Sequence, residues 1–160
     1  MNDLYKHASS VAQGEMTEIE RQTHITKLRV RLSETDTLGV VYYGNYFTYF
    51  DVARLELLRA VGITDEYLKS LSVMFVAAEA HCKYFSSARF DDLLEVRTWI
   101  SKLGKSSIKY EHAIFREDGV KLVEGYVVDV MVNKDRKPHP IPDEIREKLR
   151  RYVVETNNNR

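Results

Sequence analysis

The sequence predicts an α+β domain in which an antiparallel sheet wraps around one long buried helix. Residues 45 to about 61 are apolar on almost every side of a helix, as is typical of a helix buried on several faces. One segment with strand-like alternation precedes this helix, and four consecutive strand-like segments joined by short turns follow it. Consecutive strands with short connections are antiparallel neighbours, and a single sheet of this kind can curl around a helix.

The first strand is predicted where the alternation begins, at Thr23. Its buried face would carry Thr26, Leu28, Val30 and Leu32, which alternate with charged and exposed positions. Residues 1–22 are polar and are predicted to form a mobile arm or a short irregular helix. The domain is therefore expected to span residues 23–153, with residues 154–160 as a frayed tail.

The later elements each have a local signal. Gly62 is suited to end the long helix, and Thr64 is suited to cap a short second helix over residues 64–71. A proline at position 142 fits the first turn of a last helix. Period-two alternation and turn residues between them place four strands, at residues 73–85, 93–103, 106–115 and 122–133.

The sheet is predicted to be apolar on both faces in places. Trp99, Tyr110 and Ile114 would make the face away from the helix too apolar for water. Exposed apolar surface and open strand edges favour association between chains. We therefore expect oligomerisation through the sheet or its edges.

Composition excludes several classes of function. The 160 residues carry 24 Lys and Arg against 24 Asp and Glu, so a general basic face for nucleic acid is not expected. No apolar run approaches the roughly 20 residues of a membrane-spanning helix, and the first residues lack the apolar core of a secretory signal. We therefore expect a cytoplasmic location and no insertion into a membrane.

Cys82 is the single cysteine and the five histidines do not cluster, so no metal site is predicted.

The loop before the long helix combines the parts of a site that polarises a carbonyl group. Asp36 supplies a carboxylate, glycines supply flexible backbone, and Asn45 is expected to cap the helix, whose N-terminus favours negative charge. Acyl hydrolysis needs a base or nucleophile and donors for the oxyanion. Two alternatives stay open: Asp36 as an Asx-turn residue, and Glu34 as a rival base that is more simply solvated.

The stretch TDTLGVVYYGNYFTYFDVARLELLR resembles the signature of the 4-hydroxybenzoyl-CoA thioesterase family. The similarity is to the branch of small Tol–Pal-associated acyl-CoA thioesterases, and it extends over about residues 23–151. It implies a hotdog fold and hydrolysis of an acyl-CoA to a free acid and CoA, with no cofactor. In this branch a histidine often occupies the position of Tyr43. A tyrosine keeps the backbone donor there but not a histidine side chain.

The resemblance also implies roles for individual residues. Asp36 would be the catalytic carboxylate, as base or as nucleophile, and the backbone N–H of Tyr43 would polarise the thioester carbonyl. The turn of Lys105, Ser106 and Ser107 resembles a nucleotide-contacting segment, although an ordinary charged turn is the alternative. The remaining substrate-binding residues implied around the start of the helix are Val41, Tyr42, Gly44, Asn45 and Tyr46.

Sites in this family form between two protomers, which implies a homodimer or a homotetramer. Two rival functions stay open. One is a non-catalytic hotdog that binds acyl-CoA as a sensor or carrier. The other is a hydratase-type hotdog, although those pair Asp with His and no histidine is near Asp36 in the sequence. The acyl group, fatty or aryl and carried by CoA or by an acyl-carrier protein, is not specified.

Overall fold

The structure is a computed structural model that describes residues 16–154. Five antiparallel strands form one sheet in the order β1-β3-β4-β5-β2, and the long helix packs against one face of it. The predicted α+β class is confirmed. The elements in chain order are α1 (Glu18–Arg21), β1 (His24–Arg29), α2 (Asn45–Ala60), α3 (Asp65–Ser70), β2 (Val73–Tyr84), β3 (Leu93–Leu103), β4 (Ser107–Arg116), β5 (Lys121–Asn133) and α4 (Asp143–Leu149).

The predicted domain boundaries fall near the ends of the described chain. Residues 1–15 of the predicted arm and 155–160 of the predicted tail lie outside the described residues. Within the predicted arm, α1 is a single turn closed by a capping box between Thr17 and Glu20. At the other end, the N–H of Val154 donates to the carbonyl of Ile100 at 2.9 Å. In residues 16–154, no helix is long and apolar enough to cross a membrane.

The first strand ends three residues before the sequence pattern predicts. Among the described residues β1 pairs only with β3, and this pairing ends where Arg29 faces Leu93, the first residue of β3. Val30 is still buried, but Leu32 enters a 3₁₀ turn and is 67% exposed. The prediction that Leu32 lies on the buried face was wrong because the neighbouring strand does not extend that far.

Helix α2 buries one broad side against the sheet. Phe50 and Ala53 are fully buried, and Leu55 on the opposite side is exposed. Gly125 on β5 allows close packing against the helix, because a Cβ there would lie 2.8 Å from Cε2 of Phe50. In a single chain, α2 is thus covered on one side rather than on several.

The inner face of the sheet differs from the one the alternation suggested. Tyr110 and Ile114, which were expected on the outer face, are fully buried against the helix side. On β5, Asp129 and Met131 are buried, whereas Tyr126 and Val128 are partly exposed. β5 is apolar at both sets of alternate positions, so its period alone does not reveal which set faces inward.

A polar layer lies between two apolar clusters of the core. Arg54 of α2 places Nη1 2.9 Å from Oδ2 of Asp129, and its Nη2 is 3.0 Å from Oδ1 of Asp51. His112 stacks on Phe50 with ring centroids 4.5 Å apart. Burial, with a contribution from Arg54, lowers the pKa of His112 to about 3, so its imidazole is neutral.

Strand β2 forms a long open edge. Within the part of the chain that the structure describes, it pairs only with β5, and most of its 12 residues are exposed, including Met74 and Val76. An exposed apolar edge strand of this length presents a row of unpaired backbone groups to another chain. Its C-terminal end, at Tyr84, lies beside the loop that precedes α2.

Candidate active site

Asp36 lies at the start of a tight loop between the 3₁₀ turn and α2. Its backbone N–H donates to the carbonyl of Val40 at 2.8 Å, and Gly39 donates back to the carbonyl of Asp36 at 3.0 Å. Gly39 has a φ of +75°, which an L side chain rarely adopts. The Oδ1 of Asp36 accepts from the N–H of Leu38 at 2.8 Å. Asp36 therefore does form an Asx turn, which uses one carboxylate oxygen and orients the other.

The loop is fastened to the segment between β2 and β3 and to the helix it precedes. The N–H of Val41 donates to the carbonyl of Ala88 at 2.9 Å. The carbonyl of Glu34 accepts from the N–H of Tyr42 at 2.9 Å and from Nδ2 of Asn45 at 2.8 Å. These bonds fix the position of the loop relative to the first turn of α2.

Asn45 does not cap the helix, contrary to the sequence-based prediction. Gly44 occupies the N-cap position, and no side chain caps the first turn. Asn45 is the first helical residue, and its amide reaches back to the carbonyl of Glu34 instead. It ties the loop to the helix, and within the described residues it does not line the cavity beside Asp36.

Glu34 is not the solvated rival base that the sequence suggested. Its side chain is 16% exposed, and Oε2 accepts hydrogen bonds from the N–H of Arg31 and the hydroxyl of Tyr49, both at 2.8 Å. Burial and this contact raise the pKa of Tyr49, which keeps its hydroxyl a donor. Glu34 therefore anchors the loop to the helix.

Two backbone donors face no protein acceptor at the start of α2. Within residues 16–154, no hydrogen bond engages the N–H groups of Tyr43 and Gly44. They lie at the end of a 16-residue helix, where the helix dipole and free N–H groups favour a developing negative charge. Tyr43 itself is 62% exposed.

A cavity of about 330 Å³ is lined by both Asp36 and Tyr43. Its size is in the range of small-molecule sites. Four of the predicted site residues line it together, namely Asp36, Val41, Tyr43 and Tyr46. The predicted Tyr42, Gly44 and Asn45 lie next to them in sequence but do not line it. The walls that complete it are Val40, Tyr84, Phe85, Ser86 and Ser87.

The sequence-based prediction missed the second wall of the cavity. The Tyr84 hydroxyl donates to the carbonyl of Tyr43 at 3.0 Å, and the Tyr46 hydroxyl accepts from the N–H of Ala88 at 3.2 Å. The available signal was an aromatic pair followed by two serines at the end of a strand. What brings this segment to Asp36 is the pairing of Val41 with Ala88, which local sequence does not reveal.

The predicted nucleotide-contacting turn lies at the other end of the sheet. Lys105, Ser106 and Ser107 follow β3, whose 11 residues span roughly 33 Å at about 3.3 Å per residue. The carbonyls of Lys105 and Ser106 accept from the N–H groups of Ile141 and Met131. One chain therefore does not bring this turn to Asp36.

Comparison with known proteins identifies the family of this fold and site. The sequence profile described as the thioesterase superfamily matches residues 38–123. The chain belongs to the thioesterase superfamily. Its sheet around a helix is the hotdog fold, and, as a member of this superfamily, the protein is a thioester hydrolase. The matched range begins two residues after Asp36, so the match itself does not include the carboxylate.

Similar members of the superfamily share most of their length with this chain. The acyl-CoA thioester hydrolase YbgC of Escherichia coli is 32% identical over 119 residues, which cover 74% of this chain and 89% of that protein. A hypothetical protein of Aquifex aeolicus superposes with a TM-score of 0.74 at 31% identity, covering 79% and 98% of the two chains. The DHNA-CoA thioesterase of Staphylococcus aureus gives 0.74 at 28% identity, covering 80% and 91%.

Proposed function

We propose that the protein hydrolyses acyl-CoA thioesters, with Asp36 as the base or nucleophile and the Tyr43 N–H as a donor to the carbonyl oxygen. The observation that carries this proposal is that Asp36 and Tyr43 line one cavity at the N-terminus of α2. The free N–H groups there suit an oxyanion, and the carboxylate suits the attack on the carbonyl carbon.

Two routes use the same groups. In one, the Asp36 carboxylate attacks the carbonyl carbon, CoA leaves as a thiolate, and water then hydrolyses the mixed anhydride. In the other, Asp36 takes a proton from a water molecule that attacks the carbon directly. Both give the free acid and CoA. In both, negative charge develops on the carbonyl oxygen, where donors in place before the reaction lower the barrier.

The names of the relatives support CoA as the carrier. The Escherichia coli relative is named as an acyl-CoA thioester hydrolase and the Staphylococcus aureus relative as a DHNA-CoA thioesterase. The two names share the CoA thioester and differ in the acyl group. The finer assignment to the 4-hydroxybenzoyl-CoA thioesterase family and its Tol–Pal-associated branch is our interpretation of the segment from Asp36 to Asn45.

A hydrolysis screen tests the proposal. Release of free CoA would be measured with a thiol reagent across fatty acyl-CoAs of increasing length and aryl-CoAs, with an acyl-carrier-protein thioester alongside. We expect turnover of at least one CoA thioester. Tight binding of acyl-CoA without release of CoA would favour the sensor or carrier, and turnover of the carrier-protein thioester alone would contradict CoA as the carrier.

The functional unit is inferred to contain two chains that pair antiparallel through their β2 edges. In such a pair, a two-fold axis relates the two β2 strands, which run in opposite directions. The end of the partner's sheet that lies far from its own Asp36 is therefore beside the end of this chain's sheet that is near Asp36. Lys105 of the partner subunit would then be at the site, which a single chain keeps roughly 33 Å away along β3. A dimer is the smallest assembly with this property, and a homotetramer would contain two such dimers.

Mixed dimers test whether the two chains share each site. We expect Asp36→Asn and Lys105→Glu homodimers to be impaired, the first in kcat and the second in KM, because Lys105 would contact a CoA phosphate. Co-expression under two affinity tags yields the mixed dimer, whose one undamaged site should restore about half of wild-type kcat per dimer.

The mixed dimer also separates the alternatives. If Asp36 and Lys105 of the same chain formed a site, each site of the mixed dimer would carry one damaged residue, and activity would not recover. A mixed dimer of Asp36→Asn with wild type is the control for the half-site value.

A further inference from the structure

We propose that Tyr84 is a positioning residue for the oxyanion donors, acting through a hydrogen bond to the peptide unit between Tyr43 and Gly44. This inference rests on the function proposed above. The Tyr84 hydroxyl donates to the carbonyl of Tyr43 at 3.0 Å, across 41 residues of sequence. Tyr84 also lines the cavity that holds Asp36.

The bond fills a gap in the backbone pattern at the start of α2. The carbonyl of Tyr42 accepts from the N–H of Asn45 at 2.9 Å, and the carbonyl of Gly44 accepts from the N–H of Phe47 at 3.2 Å. Within residues 16–154, no backbone N–H donates to the carbonyl between them, that of Tyr43. The Tyr84 hydroxyl therefore supplies the hydrogen bond that this carbonyl does not receive from the backbone.

Tyr84 is itself held in place by its strand and by two aromatic neighbours. It pairs with Val123 in the β2–β5 ladder. Its ring packs edge-on against Tyr43 and Tyr46, with centroids 6.3 and 5.7 Å away. Strand pairing and two ring contacts thus hold the Tyr84 hydroxyl beside the peptide between Tyr43 and Gly44.

The chemistry of this contact matches the needs of an oxyanion site. The carbonyl that accepts from Tyr84 belongs to Tyr43, the residue whose N–H is the proposed donor, so the bond restrains the backbone of the donor residue before charge develops. Burial raises the pKa of Tyr84 to about 12. The hydroxyl accordingly keeps its proton over the pH range of a hydrolysis assay.

A conservative substitution isolates the hydroxyl. Tyr84→Phe keeps the ring and its packing, and we expect kcat to fall about 10-fold, the loss typical of one hydrogen bond, with KM within about 2-fold of wild type. The effect falls on kcat because the donors strengthen as charge develops. Tyr126→Phe is the matched control, since it removes the hydroxyl bonded to Glu79 on the outer face of the sheet and should leave both constants unchanged.

The outcomes separate this inference from the proposed function. If Asp36→Asn is inactive while Tyr84→Phe matches wild type, or if Tyr84→Phe raises KM alone, the role of Tyr84 is wrong and the function stands. A second readout does not depend on turnover. The amide resonance of Gly44 should shift upfield in Tyr84→Phe because its peptide loses the hydrogen bond, and an unchanged resonance would overturn the inference.

Discussion

Asp36→Asn is expected to lower kcat for thioester hydrolysis by about 10²–10⁴-fold, the contribution typical of a positioned acid–base group. An amide neither attacks the carbonyl carbon nor accepts a proton from water at neutral pH. The change is nearly isosteric, and the amide oxygen can still accept the hydrogen bond that the Leu38 N–H gives to Oδ1. The loop should therefore keep its shape, and binding of the CoA thioester should change little.

Glu34→Gln is the matched control for Asp36→Asn. Glu34 is the neighbouring carboxylate, but its Oε2 is engaged by Arg31 and Tyr49, and it does not line the cavity. We expect its kcat within several-fold of wild type, with a lower melting temperature because the loop anchor is weakened. If Glu34→Gln lost activity and Asp36→Asn kept it, the catalytic carboxylate would be Glu34 and not Asp36.

Arg54→Ala is expected to lower the free energy of unfolding by about 3–5 kcal/mol, the cost typical of breaking a buried ion pair. Asp129 is 2% exposed, and Arg54 is its ion-pair partner at 2.9 Å. Burial raises the pKa of Asp129, opposed by Arg54. Without the guanidinium, the carboxylate would be left buried as an uncompensated charge or would take up a proton. Urea unfolding followed by circular dichroism measures the loss.

Two further variants separate the ion pair from the helix itself. Arg59→Ala removes an exposed arginine on the same helix, paired with Glu56, and should cost less than about 1 kcal/mol. Arg54→Met with Asp129→Leu removes both buried charges and should recover most of the loss. If Arg54→Ala and Arg59→Ala lowered the free energy of unfolding equally, the buried ion pair would stabilise the fold no more than the exposed one.

The sequence predicted the elements because each carries a local signal. Glycine at position 62 ends α2 with a φ of +76°, Thr64 caps α3 through a bond to the N–H of Tyr67, and the four later strands lie within a few residues of their predicted bounds. The inner face of β5 was not predictable, because it carries Asp129, whose ion-pair partner Arg54 lies on another element.

Some residues of the site lie close together in the sequence, and the others come from distant segments. Asp36 and Tyr43 are seven residues apart in one loop, so a pattern of residues was enough to propose them together. Tyr84 reaches the same cavity through the pairing of Val41 with Ala88, a contact between distant segments. The turn at Lys105 lies at the far end of the sheet, and its proposed part in the site depends on a second chain.

The most direct measurement of the proposed mechanism is a crystal structure of Asp36→Asn with the acyl-CoA that the wild type hydrolyses best. We predict the thioester carbonyl oxygen within about 3 Å of the Tyr43 N–H, residue 36 facing the carbonyl carbon, and the nucleotide at Lys105 of the partner subunit. A thioester bound outside the cavity lined by Asp36 and Tyr43, or with its carbonyl oxygen turned away from the start of α2, would contradict the mechanism.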